Sequence, residues 1–152
     1  GDFNGDGYLD IAWTSSANDV RVWLGNGTSF SMGHPVGTYA PGWRVVGAGD
    51  VDGDGKSDLL LEYGNNQRFG YWILNGAQVV RTWSTSTSSA YQLVASGDFN
   101  GDGKSDLIWR HANGFVSIWQ MDGSAIASNL PIGQVSLDYK LDAYHASAVD
   151  FV

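Results

Sequence analysis

The apolar residues of this chain fall in short runs, each cut off by glycine, asparagine, aspartate or serine. Some runs alternate with polar residues, as at 43–49 (WRVVGAG); others are nearly continuous, as at 59–63 (LLLEY) and 69–74 (FGYWIL). Alternation marks a half-buried strand, and a short apolar run bounded by turn residues fits a strand covered on both faces. No stretch carries the 3.6-residue period of a helix. Between 43 and 90 the pattern predicts four strands, at 43–49, 59–63, 69–74 and 78–83. Asn75-Gly76 joins the last two, and Asn26-Gly27 and Asp122-Gly123 recur at the equivalent place. Such dipeptides favour two-residue hairpin turns, whose central residues both take positive φ.

This four-strand unit repeats. DFNGDGYLD at 2–10, DVDGDGKSD at 50–58 and DFNGDGKSD at 98–106 align without gaps at a spacing of 48 residues. Their flanks align as well: WRVVGAG and YQLVASG precede the second and third, and IAWTSS, LLLEYG and LIWRHA follow the three. A period in the forties with four strands per unit is that of a propeller blade. The expected fold is therefore all-β: about three 48-residue β-propeller blades of four antiparallel strands, in a partial propeller or a ring completed by oligomerisation. The expected organisation is one repeat domain over 1–152. It comprises a partial blade at 1–42 (loop plus last three strands), blades at 43–90 and 91–138, and a first-strand-like segment at 139–152. Small residues in the first strand (Gly47, Ala48, Gly49; Ala95, Ser96, Gly97) suit an innermost strand beside a crowded channel.

The three aligned segments carry the chemistry. Carboxylate or amide oxygens stand at positions 1, 3, 5 and 9, with glycine at 6; in the second segment these are Asp50, Asp52, Asp54, Asp58 and Gly55. Alternate residues of a tightly curled loop face one centre, and the backbone carbonyl of position 7 completes an all-oxygen cage suited to a hard, flexible cation, Ca²⁺ before Mg²⁺. Surface Asx-turns would use the same residue types, but they do not need several carboxylates converging within nine residues, which repel without a cation. An EF-hand is excluded because position 12 is Trp13, Leu61 or Trp109 in place of a bidentate Glu, and because the flanks read as strands.

Composition sharpens this. Of the 16 acidic residues ten lie in the three loops, so the formal charge of −8 is a local device; its sign argues against nucleic acid as partner. Glycine, at 21 of 152 residues, is about twice its usual ~7%. There is no cysteine, hence no disulfide to hold the fold. No apolar run nears the ~20 residues of a spanning helix, so no membrane insertion is expected, and no leader peptide is visible.

The segments GDFNGDGKSDLIW at 97–109 and GDVDGDGKSDLLL at 49–61 resemble the FG-GAP and VCBS repeats, to which the integrin α-subunit propellers are related. The resemblance implies about three Ca²⁺ per chain. The implied ligands are Asp2, Asn4, Asp6, Tyr8 (carbonyl) and Asp10 in the first loop, and Asp50, Asp52, Asp54, Lys56 (carbonyl) and Asp58 in the second. In the third they are Asp98, Asn100, Asp102, Lys104 (carbonyl) and Asp106. It also implies a secreted or cell-surface, non-enzymatic module for adhesion, protein contact or carbohydrate binding. Two other readings are a non-catalytic domain of a larger secreted enzyme and a structural subunit assembling through open blade ends. Complete propellers of this kind have about seven blades, so self-association or additional blades are expected to close the ring. At 146 a fourth loop is due, but the acidic pattern is gone, while Tyr139 keeps register with Trp43 and Tyr91.

Other candidates are weaker. Trp13 and Trp109 share a repeat position, as do Trp23, Trp72 and Trp119, which fits blade-to-blade packing. Trp43 and Trp83 lie near strand ends, where a sugar ring could stack on them. His34, His111 and His145 occupy unrelated repeat positions with no zinc spacing, Arg110 and His111 open a loop, and no nucleophile motif or carboxylate pair marks a catalytic centre. Asn26-Gly27-Thr28 is a formal glycosylation sequon that the hairpin turn already explains.

Overall fold

The computed structural model describes residues 1–65, 67–123 and 125–140. Among them the regular structure is all strand, in three antiparallel sheets. The first sheet holds β1 (Ile11–Thr14), β2 (Asp19–Gly25) and β3 (Phe30–Thr38). The second holds β4 (Trp43–Gly49), β5 (Asp58–Tyr63), β6 (Arg68–Asn75) and β7 (Gln78–Ser86). The third holds β8 (Tyr91–Gly97), β9 (Asp106–His111), β10 (Phe115–Asp122) and β11 (Ala125–Gln134). Each sheet is a meander, its neighbours in space being neighbours in sequence. The sheets stand as successive propeller blades and do not close a ring among the described residues. None of these residues forms a helix long and apolar enough to cross a membrane. The expected first-strand-like segment lies, from 141 on, outside the described residues.

Repetition extends to irregularities. In β4 the pairing with β5 slips between Val45 and Gly47, and in β8 the pairing with β9 slips at the equivalent place, between Leu93 and Ala95. A bulge of this kind bends the strand and increases its twist. The hairpin turns depart by one residue from expectation. Asn75 pairs with Gln78, so the turn is Gly76-Ala77, and of its residues only Gly76 has positive φ (62°). Glycine at the first central position is the requirement of a type II′ turn; Asn75 ends the strand and does not enter the turn. Asn26-Gly27 sits in a longer connection, where the Asn26 N–H donates to the Ser29 carbonyl at 3.1 Å.

The core lies between the sheets, which explains the continuous apolar run of β5. Leu59 and Leu61 turn to the first sheet and pack with Phe3, Val20, Val22 and Leu74. Leu60, between them, turns to the third and packs with Val51, Phe69, Tyr71, Ile73, Leu107, Trp109 and Met121. Each of these side chains is at most 2% exposed, and burying one contributes about 1.5–3 kcal/mol. The tryptophans pair within blades: Trp13 lies 5.0 Å from Trp23, and Trp109 lies 4.9 Å from Trp119. β4 and β8, the small-residue strands, approach closely, with Ser96 Oγ donating to the Ala48 carbonyl at 3.4 Å.

Candidate metal loops at the strand corners

The second and third acidic loops turn the corner from one strand to the next, from β4 to β5 and from β8 to β9, and the first leads into β1. The second loop's conformation follows from aspartate and glycine acting together. The Gly53 and Asp54 N–H groups donate to Asp50 Oδ1 at 2.7 and 3.2 Å, and the Gly55 N–H donates to Oδ2 at 2.8 Å. The Lys56 N–H donates to Asp54 Oδ1 at 2.9 Å. Gly53 and Gly55 sit at φ 79° and 83°, a region other residues enter at a cost of roughly 1–2 kcal/mol. The same bonds recur from Gly5, Asp6 and Gly7 to Asp2, and from Gly101, Asp102 and Gly103 to Asp98. The same glycine conformations recur too.

Position 9 behaves differently. Asp58 is fully buried, and its two oxygens accept from separate chain segments: Oδ2 from the Val51 N–H at 3.0 Å and Oδ1 from the Leu74 N–H at 2.9 Å. Asp10 bridges Phe3 and Gly25 in the same way, both at 2.7 Å, and Asp106 bridges Phe99 and Met121 at 3.2 and 3.0 Å. This carboxylate ties the loop's second residue to the third strand of the blade. Sequence reading placed it in the cage but missed the tie, because the amide donor lies 15 or 16 residues away and a backbone N–H leaves no mark in the sequence.

Carboxylate oxygens of Asp50, Asp52 and Asp58 lie within 4.8 Å of one another. Burial pushes the Asp58 carboxyl up to about 7; the nearby Asp52 and Asp50 charges add to this, and the Leu74 and Val51 amides oppose it. Asp50 and Asp106 are raised also, again chiefly by burial. Asp52 Oδ2 meets Arg81 at 3.3 Å, while Oδ1 is buried with no hydrogen-bond partner. Arg81 balances one of these carboxylates, and a cluster of three with an unsatisfied buried oxygen favours further positive charge, so the donor set fits a hard divalent cation.

The profile of the FG-GAP-like repeat matches residues 2–61, and that of the FG-GAP repeat matches residues 90–119, together more than half of the chain. The chain belongs to the FG-GAP repeat family. Comparison with curated proteins and with solved structures found no match.

Successive FG-GAP loops are also linked to each other. The Ser57 N–H donates to the Asp2 carbonyl at 2.6 Å, the Asp2 N–H donates to Ser57 Oγ at 3.0 Å, and the Ser105 N–H donates to the Asp50 carbonyl at 2.5 Å. Position 8 of one loop thus seats position 1 of the preceding one. The signal was present in the sequence as a serine repeated at 57 and 105, but its partner lies 55 residues away in each case. In the first loop Leu9 holds this position and is exposed.

Proposed function

We propose that this FG-GAP chain is a non-enzymatic, calcium-stabilised β-propeller module that acts outside the cell by binding, with one Ca²⁺ in each loop. Asp2, Asn4, Asp6, Asp10 and the Tyr8 carbonyl hold the first; Asp50, Asp52, Asp54, Asp58 and the Lys56 carbonyl the second; Asp98, Asn100, Asp102, Asp106 and the Lys104 carbonyl the third. What carries the reading is the convergence of Asp50, Asp52 and Asp58, with one Asp52 oxygen buried and unsatisfied, in a loop whose backbone-to-aspartate hydrogen bonds recur in the other two. When bound, the ion adds the positive charge that the single Arg81 contact at Asp52 leaves wanting. Extracellular calcium stands near millimolar and fills such sites even at modest affinity, which supports a secreted or surface location. Commitment of ten of 16 acids to the loops favours a binding module over an enzyme.

The test is thermal melting in calcium and in chelator. Each filled site adds about 2.7 kcal/mol when calcium stands at 100 times its Kd, so chelation is expected to lower Tm by many degrees. Identical melting curves would overturn the reading.

A further inference from the structure

A cavity of about 320 Å³ opens between the first and second blades, at the end of the strands opposite the acidic loops. It exists because of one departure from the repeat. Leu61 of β5 stands where the first and third blades carry Trp13 and Trp109. At the next junction Trp109 fills the equivalent place and is met edge-on by Phe69 of the preceding blade at 5.2 Å. Its register partner Gly70 contributes none of this space, because a Cβ there would collide with the Trp83 carbonyl and stand 2.9 Å from Ser84 Cβ. An isobutyl group thus replaces an indole, and the volume stays open.

Half-buried aromatics wall the space. Tyr39, from the connection between the blades, meets Trp72 edge-on at 6.4 Å, and Trp43 lines the cavity while Arg68 lies 5.6 Å over its ring. Trp83 also reaches the cavity, but its ring is stacked on Tyr71 at 4.9 Å and packs with the core on the far face of the sheet. Exposed hydroxyls of Thr38, Thr82 and Ser84 stand at the mouth. Ser84 Oγ accepts from Arg68 at 3.0 Å, which leaves its own proton to donate. Among the described residues, none that lines the cavity is charged.

A space of this size, walled by aromatic rings and rimmed by a few convergent hydroxyls, has the make-up of a small-ligand site. Arg68, a cation at the rim, is already engaged with the Trp43 ring and Ser84 Oγ and does not itself line the cavity, and the chain's formal −8 disfavours phosphates and carboxylates. A wholly apolar ligand would leave the rim hydroxyls unused. One ligand class matches both halves: a ring with an apolar C–H face for Trp72 and Tyr39 and equatorial hydroxyls for the rim. We infer that this inter-blade cavity is a carbohydrate site taking one neutral pyranose ring. The inference deepens the binding-module reading and rests on it for the ligand's role, though not on calcium occupancy.

The test is titration of the chain, in calcium, with methyl glycosides of glucose, galactose and mannose and with N-acetylglucosamine, followed through the indole N–H resonances. At least one sugar is expected to give saturable shifts at Trp72 and Trp43 that spare Trp23. Leu61→Trp, a residue this position tolerates in both other blades, is expected to keep the melting temperature and lose the shifts. Should that variant fail to fold, Thr82→Val combined with Ser84→Ala at the exposed rim decides, with an expected weakening of about tenfold. No saturable shift with any sugar overturns the inference, as does unchanged binding by the variant that folds. A negative panel with calcium-dependent melting intact removes the cavity site and leaves the module standing; sugar binding with calcium-independent melting removes only the calcium.

Discussion

At the scale of single residues, the aspartates of one loop do different work. Asp58 satisfies two backbone N–H groups on separate segments, and leaving a buried donor unsatisfied costs about 1–3 kcal/mol. Asp58→Ala is therefore expected to lower stability by roughly 2–5 kcal/mol even in chelator, measured by urea unfolding. Asp54 is exposed, and among the described residues its side chain bonds the Lys56 amide and ammonium. Asp54→Ala is expected to change stability in chelator by less than about 1 kcal/mol while removing one calcium from the stoichiometry seen by calorimetry. Equal effects of the two substitutions in chelator would contradict this division. Both residues were legible in the sequence as members of one acidic motif. Their difference was not, because it depends on where the Leu74 amide arrives.

At the scale of elements, the small residues of β4 are unequal. A Cβ added at Gly49 would stand 2.6 Å from Ser105 Oγ and 3.0 Å from Ser105 Cβ, on the next loop. One added at Gly47 would meet Leu60 Cδ1 at 3.5 Å, ordinary contact. Gly49→Ala is expected to cost about 1–3 kcal/mol, and Gly47→Ala is expected to lie within about 0.5 kcal/mol of the wild type. Thermal melts of the pair check this. The sequence pattern placed β4, β5 and β6 to within a residue or so because each is short and closed by glycine or asparagine, whereas β7 runs into serine and threonine and extends to Ser86, past the expected 83. The pattern misplaced the hairpin turn by one residue, since Asn75-Gly76 and Gly76-Ala77 are both acceptable turn dipeptides. The pairing of Asn75 with Gln78 chose between them.

At the scale of the whole molecule, equivalent positions have unequal surroundings. Leu59, Leu61, Leu107 and Trp109 are buried by the blade before them, whereas the matching Ile11 and Trp13 are 37% and 48% exposed. Phe3 and Val51 are buried by the blade after them, and the matching Phe99 is 44% exposed. The two faces are copies of surfaces that mate inside the chain, so a second copy is expected to dock its third blade on the Ile11–Trp13 face. Light scattering is expected to give a mass above 16.3 kDa that falls towards it on Trp13→Asp. A monomeric wild type at the same concentration would count against this docking.

The sequence by itself determined the local structure and the candidate chemistry. The strand runs and the acidic Gly-Asp-Gly loops, repeated every 48 residues, are each set by neighbours within ten residues, where side-chain alternation, glycine φ and like-charge repulsion act directly. Tertiary structure decided what depends on distant partners: which amides Asp10, Asp58 and Asp106 satisfy, which glycines a neighbouring loop presses on, and where exchanging tryptophan for Leu61 leaves a cavity. These are matters of close packing between blades. Packing is fixed only when two surfaces meet: the repeat shows that Leu61 departs from Trp13 and Trp109, but not whether its neighbours close the space.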